Sequence, residues 1–403
     1  MINVKSIFDC VTDRRNTNSL KWDGVAGMYP DYNTQKSIPM WIADTEFPAP
    51  SFVTEAVLKK ANLGIYGYEM GKSNRFDKAF YDWCERHYSY KLQPEQITFS
   101  GGTVYSISTA VQVLSEENDG IIIQPPVYPF FKKIIERNNR KCVENPLIET
   151  ADGSYKVNME GLSRLTAQDN CKLLMLCNPH NPVGKVFTKE ELCEISRICS
   201  DNGVIILSDE VHSDITLFGN KHIPTASVSI EAEQNTVGFY SCAKAFNIAG
   251  LSGSVMVCAN REIRDRIKTG YDANGSGGVN SFNLEAMQTI YENGDEYLNG
   301  LIDRVEKNIK LAQDYLSEHC PRVTFATPQG TYLIWLDLRK LGLDNEQLKR
   351  FMIEKVGIIP DFGCDYGTGG EGFVRLNFAC TEEIVTEAMK RLSDSVEKLS
   401  SNG

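Results

Sequence analysis

One lysine of this chain stands where its amine could act as a nucleophile. Lys244 lies in the stretch YSCAKAFNIAGLSG, between two short apolar runs. Both runs predict buried strands, which would hold the loop between them in place. Ser241 can offer a hydroxyl to an anion, and the small side chains of Ala243 and Ala245 leave room beside the amine. A lysine held in this way suits an imine bond with a carbonyl compound, although a loop lysine is more often simply exposed.

A pair of glycines upstream indicates an anion site. Gly102 and Thr103 lie between a predicted strand at 97–100 and a predicted helix at 104–114. Free backbone N–H groups and the helix dipole both favour a phosphate at such a junction. The Gly-Lys-Ser/Thr ending of a P-loop is missing, so the pattern is not that of a P-loop nucleotide site.

Two further polar side chains follow predicted strands on proline-stiffened loops. Tyr128 comes after the apolar run at 120–124, and it could stack on a planar ring or pack in the core. Asn181 comes after the run at 171–177, in the sequence NPHNPVG, and is a well-placed hydrogen-bond donor.

Two charged residues lie in apolar runs, where an unpaired charge is costly. Asp209 closes the run at 204–208. A protonated pyridine nitrogen would be a suitable partner, and a helix cap is the alternative. Arg375 lies inside the run at 372–377. It could take a substrate carboxylate bidentately, or it could form an internal salt bridge.

Composition excludes several classes of protein. The 403 residues are 42% hydrophobic, enough for a large core and for two domains, or for one large domain with an appendage. The 42 Lys and Arg against 53 Asp and Glu give a net charge of −11, which argues against nucleic acid and anionic membranes as partners. No apolar run has the length of a membrane span, and the N-terminus lacks the apolar region of a signal peptide. The 12 cysteines include no Cys-x-x-Cys pair and the 5 histidines do not cluster, so we expect a reduced cytoplasmic protein without a structural metal.

The residues described above stand in an order that resembles fold-type I pyridoxal 5′-phosphate (PLP) enzymes, the aminotransferase-like superfamily, over nearly the whole chain. The motifs PMWIADTEF, IYGYEMG, CNPHNPVGKVF, SDEVHSDI, AKAFNIAGL and GFVRLNFAC are similar to the cystathionine β-lyase branch, the C–S lyases of the MalY/PatB type. The resemblance implies that Lys244 binds the cofactor covalently and serves as the base. It also implies that Arg375 binds the substrate carboxylate. The other cofactor contacts that it implies are Gly102, Thr103, Tyr128, Asn181, Asp209, His212, Ser241 and Tyr68.

Three positions carry the finer part of this resemblance. Many aminotransferases have an arginine eight residues after the lysine, where this chain has Ser252, as the lyase branch does. His212 stands where many aminotransferases have a tyrosine near the phenolic oxygen of the ring. Tyr68 fits a tyrosine that reaches the phosphate of the neighbouring subunit, so the resemblance implies a homodimer with active sites at the interface.

The fold implied is α/β. We expect a large PLP-binding domain at 46–285 with a mostly parallel sheet flanked by helices, and a smaller α+β domain at 286–403, against which the N-terminal segment 1–45 packs. A long helical stretch from about Asn283 to Ser317 is predicted to link the domains.

The function implied is β-elimination, in which cystathionine or a related cysteine S-conjugate yields a thiol, pyruvate and ammonia. An aminotransferase on the same scaffold is the first alternative, and its mark would be a requirement for a 2-oxo acid. A regulatory PLP-fold protein that acts through protein contacts is the second, and the intact lysine and aspartate argue against it.

Overall fold

The structure is a computed structural model that describes residues 7–70, 73–275 and 279–401. Gly71, the last residue of the motif IYGYEMG, lies outside the described residues, as do the first six residues of the segment 1–45. No helix of the described ranges is long and apolar enough to cross a membrane. These ranges also hold no group of three or more His, Cys, Asp and Glu side chains placed to bind a metal ion.

The secondary structure alternates between strands and helices along most of the chain. The helices are α1 Val25–Met28, α2 Ser51–Asn62, α3 Asn74–Tyr88, α4 Thr103–Leu114, α5 Phe130–Arg137, α6 Met159–Thr166, α7 Lys189–Asp201, α8 Ile230–Asn235, α9 Ala243–Phe246, α10 Arg261–Ala273, α11 Ser281–Asn293, α12 Asp295–His319, α13 Asn345–Arg350 and α14 Glu382–Ser401. The strands are β1 Ile38–Pro39, β2 Ile97–Ser100, β3 Gly120–Ile123, β4 Lys141–Glu144, β5 Ile148–Glu149, β6 Tyr155–Lys156, β7 Cys171–Cys177, β8 Ile205–Asp209, β9 Thr236–Tyr240, β10 Ser254–Val257, β11 Leu333–Asp337, β12 Ile358–Ile359, β13 Asp361–Phe362 and β14 Phe373–Asn377.

A seven-stranded sheet forms the centre of the large domain. Its strand order is β2-β10-β9-β8-β7-β3-β4, and only β10 runs antiparallel to its neighbours. The parallel strands β2, β3, β7, β8 and β9 therefore end at one edge of the sheet. Open α/β sheets bind their ligands at this edge. The prediction of a mostly parallel sheet flanked by helices is confirmed.

Alternate side chains of the central strands enter two hydrophobic cores, one on each face of the sheet. In β3, Ile121 and Ile123 join one core while Ile122 joins the other. In β7, Leu173 and Leu174 divide in the same way. Burial on both faces explains why these strands read as continuous apolar runs, as expected for a parallel sheet covered by helices.

The C-terminal part of the chain builds a second, antiparallel sheet of order β11-β14-β13. The N-terminal segment reaches this part, because β1 pairs in parallel with β12 through Ile38 and Ile358. Met40 then donates its N–H to the carbonyl of Ile359. The domain boundaries 1–45, 46–285 and 286–403 stay a prediction.

The long helical stretch predicted from about Asn283 to Ser317 consists of two helices. Gly294 divides it into α11 and α12. A Cβ at residue 294 would lie 2.6 Å from both the Phe246 ring and the carbonyl oxygen of Ile290. The junction thus packs so closely against the lysine loop that only glycine fits.

Candidate active site

A cavity of about 320 Å³ lies at the carboxyl edge of the parallel strands. Its lining includes most of the residues that the sequence singled out: Gly102, Thr103, Tyr128, Asn181, Asp209, His212, Ser241, Lys244 and Ser252. They lie at or just after the ends of β2, β3, β7, β8 and β9, except Ser252, which comes just before β10. Residues spread over 150 positions of sequence therefore share one site because parallel strands end at one edge.

Lys244 lies in the short helix α9, just after β9. Its Nζ donates a hydrogen bond to the backbone carbonyl of Ala43, at 3.0 Å. Burial lowers the pKa of the amine, and the positive charge of Arg375 lowers it further, while Asp209 and Asp44 act in the opposite direction. A lowered pKa leaves more of the amine neutral, as a nucleophile or base requires.

Asp209 is the last residue of β8, and its side chain is 6% exposed. Burial raises its pKa to about 7, against the opposing effects of the Val211 N–H and of Lys244. The Val211 N–H donates to Oδ1 at 3.3 Å. Such a carboxyl group would be stabilised as an anion by a cation placed in the cavity.

The part of the lining at Gly102 is suited to a phosphate. Gly102 has φ of +136°, a region that favours glycine, and it leads into α4, whose N-cap has no side-chain hydrogen bond. The first N–H groups of a helix lack intrahelical partners, so they are free for an anion. The Ser241 hydroxyl already donates to the Gly253 carbonyl at 2.9 Å. The backbone of Ser252 has a φ of +50°, in the left-handed region.

Tyr128, Asn181 and His212 also line the cavity. The half-buried ring of Tyr128 lines it, and burial raises the pKa of this phenol to about 12. Asn181 is 4% exposed, and its Oδ1 accepts a hydrogen bond from Arg375. The Nδ1 of His212 is buried and has no hydrogen-bond partner among the described residues. Burial holds the pKa of His212 well below its usual range, so the ring is neutral.

Arg375 does not line the cavity, but it is connected to it through Asn181. Its Nη1 donates to Asn181 Oδ1 at 3.3 Å, and its Nη2 forms an ion pair with Asp361 Oδ2 at 2.7 Å. The internal salt bridge that the sequence left as an alternative is therefore present.

Tyr68 is the one predicted cofactor contact that lies away from the cavity. Its side chain is fully exposed, in a loop with other exposed apolar residues such as Ile65 and Met70. The single chain thus gives Tyr68 no role at its own site.

Sequence reasoning missed two groups that hold the lysine loop. The backbone carbonyl of Ala43 accepts hydrogen bonds from Lys244 Nζ and from the Tyr332 hydroxyl, at 3.0 Å each. The same hydroxyl also donates to the carbonyl of Lys244 at 3.3 Å. A backbone carbonyl has no side-chain signature, so only the motif around Trp41 and Asp44 could have drawn attention to this position.

Comparison with known proteins places these observations in a family. The model of the family "aminotransferase class I and II" matches residues 43–392. The chain is 37% identical to the cystathionine beta-lyase PatB of Bacillus subtilis over 385 residues, which cover 96% of this chain and 98% of PatB.

Two solved structures are similar over nearly their whole length. One is a PLP-bound putative aminotransferase from Clostridium difficile, with a TM-score of 0.92 and 35% identity over 96% of this chain and 99% of the other. The second is a PLP-bound C–S lyase from Staphylococcus hominis in complex with L-cycloserine. Its TM-score is 0.91, with 30% identity over 96% of this chain and 98% of the other.

Proposed function

The chain belongs to the aminotransferase class I and II family, and from this premise we propose that it is a PLP-dependent carbon–sulfur β-lyase. Its substrate is cystathionine or a related cysteine S-conjugate, and the products are a thiol, pyruvate and ammonia. Similarity to PatB over nearly the whole chain supports this assignment, as does similarity to a C–S lyase structure. Membership confirms the family resemblance that the motifs predicted.

One observation carries the cofactor assignment: the buried carboxyl group of Asp209 and the half-buried Lys244 share a cavity that the N-terminus of a helix also lines. The residues fit PLP, because the Asp209 carboxyl lacks a cationic hydrogen-bond partner among the described residues and the open space at Gly102 would take a phosphate. Asp209 would hold the ring nitrogen, Tyr128 would stack on the ring, and Asn181 and His212 would lie near its phenolic oxygen. The phosphate would lie against Gly102, Thr103 and Ser241.

When bound, PLP supplies an electron-accepting ring that stabilises negative charge at the substrate Cα. The residues of the chain do the rest. Arg375 would bind the α-carboxylate, and Lys244 Nζ, whose pKa is lowered by burial, would take the proton from Cα. The hydrogen bond from Nζ to the Ala43 carbonyl would hold the amine in the cavity between steps. The electron pair left at Cα would then form a Cα–Cβ double bond as the Cβ–S bond breaks and its electron pair leaves with the thiolate.

The decisive experiment separates elimination from transamination. We expect the purified holoenzyme, incubated with L-cystathionine and no 2-oxo acid, to release homocysteine, pyruvate and ammonia over many turnovers. Elimination needs only water as a further reactant, whereas transamination consumes a 2-oxo acid to regenerate the cofactor. Thiol and pyruvate are measured in parallel against L-alanine, which has no leaving group at Cβ. A requirement for a 2-oxo acid, with no thiol released, would replace the lyase with the aminotransferase.

That aminotransferase is the second candidate, and the PLP-bound putative aminotransferase from Clostridium difficile supports it. Ser252 and His212 favour the lyase through resemblance, since many aminotransferases have arginine and tyrosine at these positions.

We also propose a homodimer in which Tyr68 completes the phosphate site of the neighbouring subunit. A fully exposed tyrosine in an apolar loop supports it. The cavity lining also supports it, because Ser252 stands there without a positive charge to pair with the phosphate. We expect Tyr68→Ala to weaken cofactor binding about tenfold, as the loss of one hydrogen bond to a charged group would. Mixing Tyr68→Ala with Lys244→Ala subunits should restore part of the activity, because each hybrid dimer contains one site with both residues.

Activity of the mixed sample, compared with each variant alone, checks this proposal. Tyr66→Ala is the control, since Tyr66 donates to the Ala61 carbonyl of its own chain. A monomer at working concentration, or hybrids without restored activity from two impaired variants, would refute the shared site.

The cytoplasm is the proposed location. The twelve cysteines form no disulfide with one another, which suits a reducing compartment.

A further inference from the structure

The guanidinium of Arg375 is buried and already has three neighbouring acceptors. The residue is 3% exposed. Its Nη2 contacts Asp361 Oδ2 at 2.7 Å and the backbone carbonyl of Trp41, while its Nη1 donates to Asn181 Oδ1 at 3.3 Å. Its Nε is buried and has no hydrogen-bond partner among the described residues.

A carboxylate can bind a guanidinium bidentately in two ways, and both use Nη2. One fork consists of Nη1 and Nη2, and the other of Nε and Nη2, because the third side is blocked by the side chain itself. Nη2 donates to the Trp41 carbonyl and lies 2.7 Å from Asp361 Oδ2, so two acceptors already occupy the nitrogen that both forks share. A substrate carboxylate therefore cannot use either fork until one of these partners leaves.

Asp361 is the partner that can leave. The other partner is the backbone carbonyl of Trp41. This residue is only 6% exposed and lies next to the pairing of β1 with β12. The side chain of Asp361 is 32% exposed, so it can rotate toward solvent. Two features favour the contact of Asp361 with Arg375. Asp361 lies directly opposite Arg375 in the register of β13 and β14, and the Tyr366 hydroxyl donates to Asp361 Oδ2 at 2.8 Å.

We propose that Asp361 is a specificity-determining counter-ion, which holds Arg375 in the empty site and is displaced from Nη2 by the α-carboxylate of the substrate. The proposal rests on the proposed function, in which Arg375 binds that carboxylate. Asp361 keeps the buried Arg375 from being an unpaired charge, which would be costly. Displacing Asp361 costs the free energy of its ion pair with Nη2. Only a ligand that binds the guanidinium bidentately recovers this free energy, so Asp361 disfavours ligands that bind more weakly.

The test is Asp361→Asn in the holoenzyme. Asparagine keeps the shape but removes the charge, so it competes less for Nη2. We expect KM for L-cystathionine and Kd for propionate, a carboxylate without an amine, both to fall about tenfold. The value of kcat should stay within about twofold, because Asp361 has left Nη2 before the chemistry begins. Kd is measured by calorimetry.

Three further variants identify the cause. Asp365→Asn removes a neighbouring, exposed carboxylate that is not bonded to Arg375, and it should change Kd less than twofold. Tyr366→Phe frees Asp361 from its second partner and should lower Kd about threefold. In an Arg375→Lys background, Asp361→Asn should no longer tighten propionate binding.

Tighter propionate binding in Asp361→Asn alone, lost in the Arg375→Lys background, supports the proposal. Unchanged or weaker binding in Asp361→Asn overturns it, as does the same gain in Asp365→Asn. Because propionate binding involves no turnover, failure to release homocysteine from cystathionine would refute the proposed lyase without deciding the role of Asp361.

Discussion

Lys244→Ala is expected to lower turnover of L-cystathionine by at least about 10⁴-fold, because one substitution removes both the covalent attachment of PLP and the general base. The amine lies in the cavity with its pKa lowered by burial, and no other lysine lines this cavity in the described part of the chain. The purified wild type should be yellow. Borohydride reduction followed by peptide mass spectrometry should find the cofactor on Lys244 and on no other residue.

Two controls separate chemistry from folding. Lys244→Arg keeps a positive charge in the cavity but cannot form the covalent bond, so its activity should be as low as that of the alanine variant. Lys172→Ala removes an exposed lysine of β7 and should leave activity unchanged. Full activity of Lys244→Ala, with the fold intact by circular dichroism, would make the central assignment wrong.

Asp209→Asn is expected to weaken PLP binding by roughly 10²- to 10³-fold, the effect of removing one partner of a buried ion pair. It should also slow proton removal from Cα, because the ring nitrogen loses the carboxylate that keeps it protonated. Cofactor titration and a deuterium isotope effect at Cα measure the two effects. Asp201→Asn, which removes a carboxylate that is 60% exposed and paired with Arg197, is the control and should change neither.

The same substitution should have the opposite effect on the cofactor-free protein. Burial raises the pKa of Asp209 to about 7 in the folded state, above an ordinary value near 4. The folded state therefore holds the proton more tightly, and the stability that this group contributes is lost as pH rises from about 4 to 7. Above pH 7, where wild-type Asp209 is an anion in a buried site, Asp209→Asn should be more stable by a few kcal/mol.

Thermal unfolding at pH 5 and pH 8 measures this difference, which should be small at the lower pH. Addition of PLP should then stabilise the wild type more than the variant. A variant that is less stable than the wild type at pH 8 without cofactor would contradict the prediction. It would show that burial of the ionised Asp209 carboxylate does not destabilise the cofactor-free protein.

The sequence by itself determined which polar side chains lie at the ends of the strands and therefore share one site. Apolar runs followed by glycine, tyrosine, asparagine, aspartate or lysine predict parallel strands, and the physics of such sheets brings their carboxyl ends together. For this reason Gly102, Asp209 and Lys244 could be assigned to one site before the structure was known. Motif order added the family, the cofactor and the elimination chemistry.

Only the tertiary structure decided which groups hold those residues. The contact from Lys244 to the Ala43 carbonyl joins residues 201 positions apart, and a backbone acceptor leaves no trace in residue type. The need for glycine at residue 294 comes from the close approach of the Phe246 ring, a distance that helical periodicity does not encode.

Arg375 shows the same division most clearly. Its place in an apolar strand predicted a paired charge, but substrate carboxylate and internal salt bridge were equally consistent with that pattern. The antiparallel register of β13 and β14 places Asp361 beside it, and this register follows from the folding of the whole C-terminal part of the chain. The residue type determined that Arg375 needs an anion beside it. The packing determined that Asp361 is that anion in this structure.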